Sequence, residues 1–117
     1  MEQHNTVSTT ELKSWLDSKK DFVLVDILEP DSFEVRHIPS AHSIPFNAPS
    51  FAQRVMPLLH DKTTPVVTYG SGADDGAAQL AAEQLRAAGD SMVYCYPDGL
   101  TGWQNAGYVF EGLATTL

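Results

Sequence analysis

"PVVTYGSGADDGAA", residues 65 to 78, contains a strand, a turn and the opening of a helix in one short run. Val66 to Tyr69 is β-branched and aromatic, with no polar alternation, as in a strand buried on both faces of a parallel sheet. Gly70, Gly72 and Gly76 then interrupt it, and an alanine-rich pattern of helical period takes over. A strand that hands over to a helix through a glycine-rich turn is the common build of loops that cradle anions on free backbone amides. This loop holds no cationic side chain and no thiol. It carries two adjacent carboxylates instead, Asp74 and Asp75.

The same alternation runs outward from it. "FVLVDI", Phe22 to Ile27, is a second buried strand, and Met92 to Tyr96 is the next strand. A short strand is expected around His42 to Ile44. Ser8 and Glu11 have capping-box spacing, and Leu12, Trp15 and Leu16 share one face of a helix predicted over about Thr9 to Ser18. A brief helix should start at Pro30 and stop before Pro39. Phe51, Val55 and Met56 keep helical spacing until Pro57. In "GAAQLAAEQLRAAG", Ala77, Leu80, Ala81, Leu85 and Ala88 are placed against the sheet, with Gly89 as the stop. "GLTGWQNAG" makes a last short helix with Trp103 inward and Gly107 at its end. Strands alternating with helices predict an α/β fold of three layers, a central, mostly parallel sheet with helices on both faces. Ligands of such sheets bind beyond the carboxyl ends of the strands, where the Gly70 loop falls.

The 117 residues suit one domain, 1–117, with disorder expected at residues 1–6 and 113–117. Hydrophobic residues at 43% and charged residues at 19% are those of a globular chain. The net charge of -8 repels nucleic acid and acidic membrane at long range, so neither is expected as a partner. No apolar run approaches the ~18 residues that span a bilayer, and the polar opening lacks a leader pattern. A cytoplasmic location is therefore expected. The single cysteine, Cys95, cannot form an internal disulfide and fits a reducing compartment.

Three stretches together resemble the rhodanese-like domain. "LVDILEPDSFEVRHIPSAHSIPF" is similar to that family's aspartate-bearing strand, acidic short helix and histidine turn, falling on Asp26, Glu34 and His37 to Ala41. "VVTYG" with the alanine-rich helix resembles its strand, active loop and following helix. "DGLTGWQNAGYVFEG" resembles its closing signature, on Asp98, Gly99, Trp103 and Ala106 to Tyr108. The resemblance implies sulfur transfer on a cysteine directly after the strand, with an arginine and a hydroxyl residue at the end of the loop. Counted from Tyr69, these positions fall on Gly70, on or near Asp75, and on Gly76. No Cys, Lys or Arg stands between Val66 and Arg86, so no shift of register restores them. Two further positions depart from the pattern: Leu28, where a basic residue often follows the strand aspartate, and Arg36, where a glycine precedes the histidine.

A persulfide needs a thiolate, and Gly70 has no atom to carry the sulfur. The whole loop, Gly70, Ser71, Gly72, Ala73, Asp74, Asp75 and Gly76, is expected to be a degenerate active site without a reacting group. Asp74 or Asp75 is expected to cap the following helix, its carboxylate occupying the place of a bound anion. A metal role for the pair lacks further spaced ligands, and an aspartyl nucleophile lacks a partnered acid or metal. Cys95, between Tyr94 and Tyr96, is expected to be a packed, inert thiol. His37 and His42 should pack the proline turn rather than bind metal. The resemblance implies that Asp26 ends its strand and hydrogen-bonds the turn near His37. No cofactor or metal is expected, and a protein partner and the oligomeric state are left open. The function expected is a catalytically silent binding or regulatory module. The alternatives are a sulfurtransferase-related enzyme using another group and a phosphatase-like hydrolase, the last by fold analogy alone.

Overall fold

The computed structural model describes residues 5–72, 76–90 and 92–113. Four parallel strands form its sheet in the order β2-β1-β3-β4. They are β1 (Val23–Asp26), β2 (His42–Ser43), β3 (Val66–Tyr69) and β4 (Val93–Tyr96), connected through α1 (Thr9–Asp17), α2 (Pro30–Val35), α3 (Phe51–Val55), α4 (Ala77–Ala87) and α5 (Gly99–Asn105). The two central strands, β1 and β3, are buried at every position, which is why neither shows polar alternation.

The pleat sorts their side chains into two cores. Val23, Val25, Val66, Val93 and Cys95 face α3 and α4, meeting Phe51, Val55, Ala81 and Leu85. Leu24, Val67, Tyr69 and Tyr96 face the other way, toward Leu12 of α1 and Trp103 of α5. The result is the three-layer α/β arrangement expected from the sequence.

Local signals set the helix ends. The Ser8 hydroxyl accepts from the Glu11 amide (3.1 Å) and the Glu11 carboxylate accepts from the Ser8 amide (2.8 Å), a complete capping box. Pro57 falls in a 3-10 turn, Met56–Leu58, that ends α3. Gly89 and Gly107 follow α4 and α5 with φ of 109° and 81°. The buried face of α4 differs from the expected one. It is Ala78, Ala81, Ala82 and Leu85, at i, i+3, i+4 and i+7, while Leu80 is 54% exposed and Ala88 lies on the surface. An alanine-rich helix offers two plausible apolar stripes, and contact with Thr68 and β4 selects one of them. At the amino end, Asn5 to Val7 lie alongside β4. Thr6 bridges Cys95 in parallel, with Cys95 N–H donating to Asn5 O (2.9 Å) and Val7 N–H to Cys95 O (3.0 Å). Leu113 N–H likewise donates to Glu34 O at 3.0 Å.

Candidate functional site

The candidate loop leaves the carboxyl end of β3. Gly70 is buried and Ser71 exposed. Both carbonyls are held by the first turn of α5: Leu100 N–H donates to Gly70 O (3.1 Å) and Thr101 N–H to Ser71 O (3.0 Å). The Thr101 hydroxyl adds a second donor to Ser71 O at 3.0 Å. The free amides of one helix start are thus spent on the loop's own backbone.

This clasp depends on Gly99. Its φ is +56°, and a Cβ there would lie 2.4 Å from Gly70 O and 2.8 Å from Gly72 N. Only a residue without a side chain permits both the left-handed backbone and the approach. The glycine in the closing signature marks this contact, but the sequence does not disclose that its partner is the loop. Ala73, Asp74 and Asp75 lie outside the described residues, and so does the expected capping of α4 by either carboxylate.

Beneath the loop, Asp26 at the end of β1 is fully buried. Its carboxylate accepts the Tyr69 hydroxyl (2.8 Å) and the Leu28 amide (2.9 Å), and the Tyr69 oxygen accepts the Ile38 amide (3.1 Å). Asp26 therefore reaches the turn beside His37 through Tyr69, not by the direct bond expected from the sequence. Burial pushes the Asp26 carboxyl above its ordinary range, against the opposing pull of these two bonds and of His37. Tyr69 is pushed up by burial and by the Asp26 charge, so it stays a neutral donor.

His37 stacks on Phe33, ring centroids 3.8 Å apart and 6° from parallel, with its Nδ1 donating to Phe33 O at 2.8 Å. That is the packing role expected. His42 instead lies exposed on edge strand β2, where it packs no turn. Among the described residues no three His, Cys, Asp or Glu side chains are grouped to hold a metal.

Cys95 is paired in register with Thr68, inside the sheet and short of the loop. It is buried, and burial pushes its thiol up to about 11, with the Arg86 charge and a Thr68 hydrogen bond pulling only partly back. At pH 7 such a thiol is ionised in on the order of one molecule in ten thousand. It faces the α4 core, whereas a loop nucleophile must stand beyond the strand end.

The family model of the rhodanese-like domain matches residues 8–106, and the chain belongs to that family. It is 33% identical over 88 residues to the thiosulfate sulfurtransferase GlpE of Pseudoalteromonas translucida, a match covering 75% of this chain and 78% of GlpE. It is 29% identical over 99 residues to the probable adenylyltransferase/sulfurtransferase MoeZ of Mycobacterium tuberculosis, covering 85% of this chain but only 24% of MoeZ. Among solved structures, the Alr3790 protein from Anabaena sp. aligns with a TM-score of 0.81 at 27% identity, covering 92% of each chain. The thiosulfate sulfurtransferase from Pseudomonas aeruginosa aligns at 0.83 and 24% identity, over 93% of this chain and 20% of that one, and so is similar in fold. No helix among the described residues is long and apolar enough to cross a membrane.

Proposed function

We propose that this rhodanese-like domain carries no sulfur itself and serves as a binding or regulatory module. The observation that supports this most is the residue that follows β3: a buried glycine, Gly70, whose carbonyl is already bound to Leu100. A persulfide intermediate needs a sulfur atom at that place, positioned and ionised. The one cysteine of the chain is in a strand, buried and with a raised pKa. The loop's composition, with Asp74 and Asp75 and no cation up to Arg86, disfavours thiosulfate or phosphate and suits a cationic group of a partner. A cytoplasmic setting fits a lone cysteine kept as a thiol.

A second reading keeps the chemistry. The relationship to GlpE, a thiosulfate sulfurtransferase, favours sulfur transfer through a thiol supplied by another molecule. Thiosulfate:cyanide turnover of the protein, measured alone, after Cys95→Ser, and with an added small thiol, separates the two. A silent module gives background rates in all three. Turnover only with added thiol supports the second reading, and turnover by the protein alone defeats the first.

A further inference from the structure

Away from the loop, α1 and the segments below it form two adjoining clefts. One, of about 360 Å³, is walled by Trp15, Leu16, Phe22 and Leu24, with Lys19 and Lys20. The other, of about 230 Å³, holds Lys13, Asp17, Pro39, Trp103 and Val109. They share Leu16 and Ser40, so the two clefts adjoin along the helix, and the groove is the pair of them. Its first cleft opens at the amino end of β1, the opposite end of the parallel sheet from Gly70.

The charge here reverses that of the chain. The net charge is -8, yet Lys13, Lys19 and Lys20 are three of only seven Lys and Arg residues, and all line this groove. The nearby acids are engaged: Asp17 with Lys13 at 2.7 Å, and Asp21 with His60 at 2.9 Å. Lys19 and Lys20 form no ion pair among the described residues, and Lys20 rests over the Trp15 ring at 4.9 Å. Helix carbonyls that would repel an anion at this end are covered, since Lys19 N–H donates to Leu16 O (3.2 Å) and Lys20 N–H to Trp15 O (3.0 Å). On the apolar side, Trp15 meets Phe22 and Tyr94 edge-on at 5.3 Å, giving a rigid aromatic wall that is only partly buried. Val109 is 72% exposed at the other end.

We propose that this groove docks a short acidic segment of a partner protein, an apolar side chain seated against Trp15 and Phe22 and flanking carboxylates on Lys19 and Lys20. The occupant follows from charge complementarity. Two ammonium groups with no ion pair among the described residues, beside an aromatic wall, suit carboxylates that bracket an apolar residue. A nucleic acid needs many phosphate contacts, and a lipid surface, being broad and flat, cannot enter a concave cleft. A short peptide feels that distant charge little, since it is screened beyond about 8 to 10 Å at ordinary ionic strength. The groove stands whether or not the Gly70 loop is silent.

The probe is a blocked synthetic peptide in which phenylalanine and leucine alternate with glutamate, added to the full chain labelled with nitrogen-15. Binding is expected with a Kd on the order of 100 µM at low salt. Amide shifts should centre on Lys19 to Leu24 and Ser40, with both tryptophan indole signals moving. Lys19→Asn with Lys20→Glu should weaken it at least tenfold. Asn suits the left-handed φ of 58° at position 19, and an unchanged melting temperature shows that the fold is kept. A peptide with lysine replacing glutamate should not bind. The proposal is overturned by an absence of binding at millimolar peptide, by shifts centred on the Gly70 loop, by equal affinity of the double variant or of the lysine peptide, or by preferential binding to phosphatidylserine vesicles.

Discussion

The Asp26 carboxylate accepts the Tyr69 hydroxyl at 2.8 Å, joining the ends of the two central strands directly under the candidate loop. Tyr69 is also the acceptor for the Ile38 amide, so one phenol oxygen links β1, β3 and the turn before β2. Tyr69→Phe leaves a buried amide and a buried carboxylate oxygen without partners. It should cost about 2 to 3 kcal/mol, measured by urea unfolding.

The same carboxylate gives stability a pH dependence of definite sign. Its folded pKa lies above the ordinary carboxylate value of 3.8 because burial disfavours the charge. Between the unfolded and folded values the native state binds more protons than the unfolded chain, so this contribution is fully present below 3.8 and is lost as pH rises through the folded pKa. The wild-type stability minus that of Asp26→Asn, which does not titrate, should therefore fall with rising pH across that window. A difference that rises there would mean that the hydrogen bonds from Tyr69 and Leu28 outweigh desolvation.

The clasp between the loop and α5 predicts that glycines of positive φ are unequal. Gly99→Ala meets both backbone strain and the Gly70 carbonyl at 2.4 Å and should cost about 2 to 3 kcal/mol. Gly89→Ala, at φ 109° with nothing within 4 Å, should cost about 1 kcal/mol from strain alone. Amide shifts of Gly70 to Gly72 should follow the first variant and not the second.

Burial of Cys95 predicts slow reaction with a disulfide reagent at pH 8 in the native protein and fast reaction in denaturant. Equal rates in the two states would mean that β4 opens readily and would return Cys95 to consideration as a redox group.

The fold was legible in the sequence because strand runs, caps and glycine stops each act within a few residues. Ser8 with Glu11, and Gly89 after Ala87, needed no tertiary knowledge to read. The face of α4 was not legible, since alanines on every side leave the choice to the partner surface. The candidate loop was legible in its residues, a glycine and no thiol directly after β3. It was not legible in what holds it, because the Leu100–Gly70 and Tyr69–Ile38 bonds join residues about thirty apart in sequence. Asp26 shows the same limit: its aim at the histidine turn was foreseen, but the tyrosine between them was not.

On the proposed reading, in which the loop is silent for want of a nucleophile, chemistry should return in steps. Gly70→Cys alone should give a thiol of ordinary or raised pKa and near-background sulfur transfer if the loop's two carboxylates, Asp74 and Asp75, oppose a thiolate there as proposed. Adding Asp75→Arg should lower that pKa and raise turnover by more than the two single effects combined, because charge cannot help an absent nucleophile. Full activity of Gly70→Cys alone would show that the carboxylates play no disarming part.

The most direct test of the proposed silence is the intact mass of the native wild-type protein after incubation with thiosulfate, read without reductant. No gain of a sulfur atom is predicted, before or after long incubation, while Gly70→Cys with Asp75→Arg gains one sulfur that cyanide removes. A cyanide-labile sulfur on the wild-type chain, whether on Cys95 or elsewhere, would contradict the account and make this domain a sulfur carrier.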